Sequence, residues 1–224
     1  MATWLDAALL TRPPRLLHTL LPGCEWTGPR TTPAGAPALY LTFDDGPIPE
    51  ETPWVLEQLA AYHAKATFFC VGENVARFPG IARAALAAGH RLGNHTQRHR
   101  SAWATARPEY LAGVAACQAA LAGAAGEGGA AVPQMLFRPP YGRLTWPLLA
   151  DLRPAFRVVM WSVLTRDYDP NLSPESCLQF TLAAVRAGDI IVFHDSHKAR
   201  PRLRFVLPRL LAHFAERGFQ FSTL

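Results

Sequence analysis

The sequence lacks any apolar run long enough to cross a membrane. None of its 224 residues falls in an apolar stretch that approaches the ~20 residues needed to span a bilayer. Residues 1–21 also lack the basic start and apolar centre of a signal peptide, because Asp6, Arg12 and Arg15 interrupt them. We therefore predict a soluble protein without an export signal; this criterion alone indicates the cytoplasm, and the compartment is left open.

Cysteine and charge are both scarce. Cys24, Cys70, Cys117 and Cys177 form no C-x-x-C pair, which excludes zinc knuckles and dithiol motifs and leaves a disulfide unsupported. Charged residues make up 17% of the chain and hydrophobic residues 50%, so a disordered chain is excluded. These numbers predict a globular protein with a sizeable core.

Acidic residues are outnumbered, with 17 Asp and Glu against 22 Lys and Arg. The densest basic cluster runs from Lys198 to Arg209. Such an excess favours an anionic partner, or simply reflects a composition rich in arginine and alanine. No nucleic-acid-binding motif accompanies the charge, so we predict no nucleic-acid partner.

Strand-like and helix-like segments alternate along most of the chain. Residues 1–38 are rich in proline and glycine and are predicted to form a short helix and an extended lead-in, followed by one domain over 39–224. Roughly seven β-then-α units predict an α/β fold with a parallel sheet and outer helices. Because no glycine-rich phosphate motif is present, a barrel is favoured over a dinucleotide-binding fold. The predicted strands are 39–43, 66–71, 91–94, 135–137, 157–161, 189–193 and 219–221, the predicted helices are 50–62, 78–88, 108–122, 146–152, 173–187 and 203–216, and 123–129 is a predicted flexible loop.

Polar clusters follow several of these strands. Asp44 and Asp45 end the first strand in an Asp-Gly sequence, which on its own is typical of an ordinary turn. His95 and His99 are four residues apart and would share one helical face, either as metal ligands or as two surface histidines. Two imidazoles and one carboxylate would leave an open position for water, as catalytic zinc sites do.

Two further clusters complete the set. Arg138 and Tyr141 flank a Pro-Pro pair that stiffens the backbone, either to aim these groups into a cleft or as a loop corner. His194 ends an apolar strand, where a histidine is either a satisfied core group or a catalytic one.

In this order the clusters resemble the motifs of the polysaccharide deacetylases of carbohydrate esterase family 4, the nodulation-factor-deacetylase-homology domain. The resemblance covers residues 39–221 and implies a distorted (β/α)7, TIM-barrel-like domain. Four of the five family motifs are recognisable, namely Thr42–Pro47, His95–His99, Arg138–Tyr141 and Val192–His194.

The resemblance also implies a set of roles. Asp44 would be the general base, and Asp45, His95 and His99 would hold one divalent ion, with zinc as the default and cobalt, nickel or manganese as alternatives. Arg138 would pair with Asp44. The remaining implied roles are loop support by Thr96, oxyanion binding by the Tyr141 backbone N–H, general acid catalysis by His194, and substrate binding by Tyr141, Trp161 and Val192.

The fourth motif, D-x-x-D-W in the family, departs from the pattern. Leu164 stands at its first aspartate and Tyr168 at its tryptophan. A carboxylate beside His194 would raise the pKa of that histidine, so the loss of an aspartate predicts a weakened or retuned acid rather than complete loss of activity. We hypothesise that Asp167 supplies the carboxylate, with Asp169 and Asp195 as less favoured alternatives.

These residues predict a metal-dependent hydrolase that removes N-acetyl groups from an N-acetylated glycan of the chitin or peptidoglycan type, acting as a monomer. An O-acetyl esterase on xylan or another amide hydrolase would use the same machinery. A carbohydrate-binding homologue with impaired catalysis is the third alternative. Trp103 lies in a predicted loop near the site, where it would stack on a sugar ring or cap the barrel.

Overall fold

The computed structural model describes residues 11–14, 16–126 and 135–224. Its framework is one sheet of eight strands, all paired in parallel. The strands are β1 (Ala38–Asp44), β2 (Ala66–Cys70), β3 (Arg91–Asn94), β4 (Met135–Phe137), β5 (Phe156–Val158), β6 (Val163–Leu164), β7 (Ile190–His194) and β8 (Gln220–Phe221).

The strand order is β5-β4-β3-β2-β1-β7-β6, and β8 pairs with the start of β1. Within the described residues no strand pairing joins β5 to β6, so the curled sheet is open there. Near this opening the N-terminal segment contributes a bridge, in which the Glu25 N–H donates to the Val158 carbonyl at 2.8 Å. The predicted α/β fold class, a distorted barrel of parallel strands, is confirmed in this open form.

Helices pack outside the sheet and bury its outer face. β1 is buried along its whole length, as expected of a parallel strand covered on both faces. The largest core cluster joins Leu41 and Phe43 of this strand to Leu207 and Leu211 of the last helix. The helices are α1 (Leu16–Leu20), α2 (Thr52–Ala61), α3 (Gly72–Arg77), α4 (Pro79–Ala87), α5 (Arg107–Ala125), α6 (Trp146–Leu152), α7 (Pro174–Ala184) and α8 (Arg200–Ala215).

Two predicted segments differ in the structure, and one helix, α3 (Gly72–Arg77), has no predicted counterpart. The predicted loop 123–129 is wrong at its start, because α5 continues to Ala125 with Leu121 and Ala124 buried against the core; residues 127–129 lie outside the described residues. The predicted strand 157–161 is wrong at its end, since pairing with β4 ends at Val158, and a separate short strand, β6, follows at Val163–Leu164 and pairs with β7. Both differences arise from tertiary packing that local patterns do not encode.

Two other features bear on the sequence predictions. No helix among the described residues is long and apolar enough to cross a bilayer. All four cysteines are free thiols, and three of them are buried.

Candidate metal and catalytic site

The carboxyl ends of the strands surround one cleft of about 510 Å³. This edge is where barrels of this kind place their functional groups. Most of the predicted site residues line the cleft: Asp44, Asp45, His95, His99, Tyr141, Trp161, Val192 and His194. Thr96, Arg138 and Asp167 are buried behind that lining.

The turn after β1 holds Asp45 toward the cleft. Asp45 has a left-handed φ of 85°, and its carbonyl accepts a 2.8 Å hydrogen bond from the Asn74 side chain. The next residue, Gly46, donates its N–H to Asp195 at 3.0 Å. A Cβ at Gly46 would lie 2.0 Å from an Asp195 oxygen, so only glycine fits here.

Asp45, His95 and His99 converge. Their ligand atoms all lie within 4.8 Å of one another. His99 Nε2 is 3.2 Å and His95 Nε2 3.9 Å from Asp45 Oδ1. That oxygen is buried without a hydrogen-bond partner among the described residues, which is the environment of an atom suited to a cation.

Second contacts orient both histidines. His95 Nδ1 lies 2.8 Å from the Arg138 carbonyl, and His99 Nδ1 lies 3.2 Å from the Tyr141 hydroxyl. In the tautomer with the proton on Nδ1, each ring donates outward and turns its Nε2 lone pair toward Asp45. Burial lowers the pKa of His95 to about 4, so this ring stays neutral and able to bind a metal. The residues therefore fit a divalent ion.

The prediction that His95 and His99 share a helical face is wrong. The segment is an irregular turn in which Thr96 and His99 both have positive φ, at 65° and 53°. Asn94 stabilises it by accepting the Thr96 N–H at 2.9 Å. The Thr96 carbonyl in turn accepts the Gly72 N–H at 3.0 Å, at the start of α3. The Thr96 hydroxyl has no partner among the described residues, so the contacts that hold this turn come from its backbone.

Asp44 is buried against Arg138, as the motif resemblance implies. Arg138 Nη1 donates to Asp44 Oδ1 and to the Thr42 hydroxyl, both at 2.7 Å. Its remaining nitrogens donate to the Val159 and Met160 carbonyls. Burial alone would raise the pKa of Asp44, but the Arg138 guanidinium and the two neighbouring histidine rings outweigh it and hold that pKa below its usual value.

On the opposite side, His194 contacts Asp167. His194 Nδ1 is 2.7 Å from Asp167 Oδ1, and the His194 backbone N–H donates to Asp167 Oδ2 at 2.8 Å. Burial would lower the pKa of His194, but Asp167, with smaller contributions from Asp45 and Asp44, raises it to about 9. Leu164 lines the cleft instead. His194 thus has a carboxylate partner despite the altered fourth motif, and of the three candidates Asp167 makes this contact.

The third motif forms the other wall of the cleft. Tyr141 and Gly142 have positive φ, at 61° and 64°. This conformation exposes the Tyr141 ring and brings Gly142 against Trp161, whose ring a Cβ would approach to 2.4 Å. Apolar side chains of Trp161, Leu164 and Val192 line the wall nearby.

Two sets of contacts at the site were not predicted from the sequence. The Tyr141 hydroxyl contact on His99 was missed, because the motif pointed only to its backbone. Asp195 was considered as a partner for His194, but its side chain instead accepts hydrogen bonds from Gly46 and, at 2.5 Å, from Thr52. Burial raises the pKa of Asp195 to about 8, which keeps it protonated at neutral pH. In the sequence, only the position of Asp195 next to His194 indicated a role at the site.

The sequence model of the polysaccharide deacetylase family matches residues 31–154, more than half of the chain. This chain belongs to the polysaccharide deacetylase family. A chitooligosaccharide deacetylase of Sinorhizobium fredii is 34% identical over 87% of this chain and 95% of its own length. A peptidoglycan-N-acetylglucosamine deacetylase of Bacillus cereus is 31% identical over 83% of this chain and 85% of its own length.

Solved structures agree with this family membership. The Bc1960 peptidoglycan N-acetylglucosamine deacetylase has a TM-score of 0.81 and 28% identity, covering 92% of this chain and 93% of that one. A family 4 carbohydrate esterase from Streptomyces lividans, solved with acetate, has a TM-score of 0.71 and 28% identity over 83% of this chain and 92% of that one. The predicted family is confirmed.

Proposed function

We propose that this protein is a metal-dependent de-N-acetylase that releases acetate from an N-acetylated glycan. The observation that carries the proposal is a pair of buried ionisable groups, Asp44 and His194, whose pKa values shift in opposite directions beside converging metal ligands. Such divergence is what separates a base from an acid in one site. The related deacetylases of chitooligosaccharides and peptidoglycan support the same reaction.

Asp45, His95 and His99 would hold the ion. A divalent cation there supplies Lewis acidity, which polarises a carbonyl and makes water easier to deprotonate. Two imidazoles and a carboxylate suit zinc, and cobalt, nickel or manganese accept the same donors.

Asp44 acts as the base in this proposal. Its low pKa keeps the carboxylate ionised at neutral pH, and Arg138 occupies only its Oδ1 atom. Oδ2 lies 4.0 Å from His95 Nε2, facing the metal ligands, where it can accept a proton from the attacking water.

His194 acts as the acid. An amine is a poor leaving group unless it is protonated, so the reaction needs a proton donor at the departing nitrogen. With a pKa near 9, His194 carries that proton at neutral pH while Asp167 retains its Nδ1 side. Nε2 is thereby left to deliver the proton. A histidine that is protonated at neutral pH fits cleavage of an amide better than cleavage of an ester, because an alkoxide leaving group needs less help from an acid.

The Tyr141 backbone N–H is the proposed donor to the developing oxyanion. Loss of one such donor typically costs about 10²–10³ in rate. The apolar wall of Trp161, Leu164 and Val192 suits the acetyl methyl group. Because one chain supplies every group, we propose that the protein acts as a monomer.

Acetate release from chitooligosaccharides, peptidoglycan strands and acetylated xylan tests the proposal. We expect release from an N-acetylated glycan that stops on chelation and returns when zinc is added. Release from xylan alone would favour an O-acetyl esterase. Glycan binding without release from any of the three would favour a carbohydrate-binding homologue and contradict the proposal.

A further inference from the structure

Two cations beside the cleft have no acidic partner among the described residues, namely Lys198 on the acid side and Arg143 on the metal side. Arginines in the loops that follow β3 and β6 are paired: Arg98 with Glu73, Arg100 with Glu109, and Arg166 with Asp169. Lys198 follows strand β7 and Arg143 follows strand β4. Three other strands lie between β7 and β4 in the sheet. Two opposite rims of one cleft therefore each present an unneutralised positive charge.

Lys198 lines the cleft and is held close to the proposed acid. Its ammonium lies 5.5 Å from the centroid of the Tyr168 ring, and that ring meets His194 edge-on at 5.1 Å. Its carbonyl accepts a 3.1 Å hydrogen bond from the buried Arg202. The Lys198 carbonyl is thus anchored, and its ammonium lies beside the Tyr168 ring, which also lines the cleft.

The carboxylates closest in sequence or motif to Lys198 have other partners. Asp167 pairs with His194, and Asp169 pairs with Arg166 at 2.7 Å. Asp195 is buried and, with a pKa of about 8, carries little charge at neutral pH. These groups therefore leave the charge of Lys198 available to a ligand.

Arg143 forms the corresponding feature on the metal side. Its guanidinium lies 5.0 Å from the Trp103 ring centroid and 5.5 Å from that of Tyr141. The indole is anchored by a 3.3 Å hydrogen bond from its Nε1 to the Leu144 carbonyl. Cation–π contacts of this kind orient a guanidinium without neutralising it. Arg143 is exposed, next to a residue that lines the cleft.

We propose that the cleft selects an acidic N-acetylated glycan, in which sugars next to the acetylated one carry carboxylates. Lys198 and Arg143 are the residues that bind those carboxylates. Each rim offers one cation, which matches one monovalent carboxylate better than a phosphate dianion. A neutral chain would leave both charges unused. This inference rests on the proposed deacetylase function and names its substrate class.

A matched pair of substrates tests the inference. Peptide-free peptidoglycan strands carry a carboxylate on alternate sugars, and coupling those carboxylates to methylamine gives neutral strands of the same length. For the unaltered protein we expect a higher kcat/KM on the acidic strands. The preference should fall as salt rises from 0.05 to 0.5 M, because salt screens exposed charges.

Charge-removing variants identify the residues. Lys198→Met and Arg143→Gln should each lower the ratio of acidic to neutral kcat/KM by about threefold to fivefold, the size expected of an exposed ion pair. Lys65→Met is the matched control, because Lys65 is the only other lysine of the chain and lies before β2, at the opposite edge of the sheet. It removes the same charge and should leave the ratio unchanged.

Binding to an Asp44→Asn background separates this inference from the proposed function. Tighter binding of acidic than of neutral strands, lost on adding Lys198→Met or Arg143→Gln, supports selection of carboxylates. Equal binding and equal turnover of both strands would overturn the inference while leaving the deacetylase proposal intact. Preferential binding of acidic strands, with no acetate released from either by the unaltered metal-loaded protein, would contradict the deacetylase proposal alone.

Discussion

On each side of the cleft, a buried partner of opposite charge reverses the pKa shift that burial alone would cause. On the metal side, burial pushes the pKa of Asp44 upward, but a buried arginine reverses the shift. On the acid side, burial pushes the pKa of His194 downward, but a buried aspartate reverses that shift. Because burial disfavours whichever form is charged, the sign of the buried partner decides that Asp44, the proposed base, stays ionised and that His194, the proposed acid, stays protonated.

Arg138 and Asp167 also differ in the contacts that hold them in place. Arg138 makes hydrogen bonds to two backbone carbonyls and a hydroxyl besides its carboxylate, so several distant segments hold it. Asp167 holds both the ring and the backbone N–H of His194, and Arg202 donates to the Asp167 carbonyl. Damage to the metal side should therefore disturb the fold, whereas damage to the acid side should mainly change the pH profile.

The largest effect is expected from Asp44→Asn. The amide keeps the shape of the carboxylate but cannot accept a proton as a base, so kcat should fall by about 10²–10⁴. Acetate release measures the rate, and elemental analysis of the purified protein measures bound metal. We expect the metal to stay, because Asp45 supplies the carboxylate ligand; loss of metal together with activity would instead make Asp44 a ligand.

Arg138→Met should cost the most stability. Removing one partner of a buried ion pair leaves an uncompensated charge, which typically costs about 3–5 kcal/mol. Urea unfolding measures this loss. The double variant Arg138→Met with Asp44→Asn is the control, because it removes the stranded charge and should recover part of the stability. A double variant no more stable than the single one would assign the loss to the hydrogen bonds of Arg138 with Thr42 and the backbone.

Regular elements and motif ligands could be predicted from the sequence because they depend on local patterns. β1 and β7 are apolar runs that end in the polar residues of the site, so Asp44 and His194 fall at the same edge of the sheet. The proposed metal ligands followed from the order of the motifs. These features need no knowledge of which turn or rotamer the chain adopts.

The turn conformations could not be predicted in the same way, and the sequence indicated Asp167 as the partner of His194 only as the favoured one of three carboxylates. Positive φ at Thr96 is costly for a β-branched residue and persists only because Asn94 and Gly72 bind its backbone. The family motif has an aspartate where this chain has Leu164, so the sequence alone predicted a weakened acid at this position. The contact made by Asp167 depends on a turn after β6, a strand of only two residues.

Asp167→Asn tests the acid side. Without the carboxylate the pKa of His194 should fall from about 9 toward its ordinary value. The reaction needs the protonated form, so the alkaline limb of the pH–rate profile should move down by about one to three pH units. Asp169→Asn is the matched control, since Asp169 pairs with Arg166 rather than with His194. An unmoved alkaline limb for Asp167→Asn would exclude this aspartate as the group that tunes the acid.

Tyr141→Phe should have the smallest effect and confine it to metal affinity. The change removes the hydroxyl 3.2 Å from His99 Nδ1 but keeps the backbone N–H proposed for the oxyanion. Loss of such an outer contact typically weakens metal binding by about tenfold to a hundredfold, and the low end applies because the Tyr141 ring is exposed. Competition with a chromogenic zinc chelator measures the affinity. At saturating zinc kcat should return, because the base, the acid and the backbone donor are all intact; a kcat that stays low would place the hydroxyl itself in contact with the reacting groups.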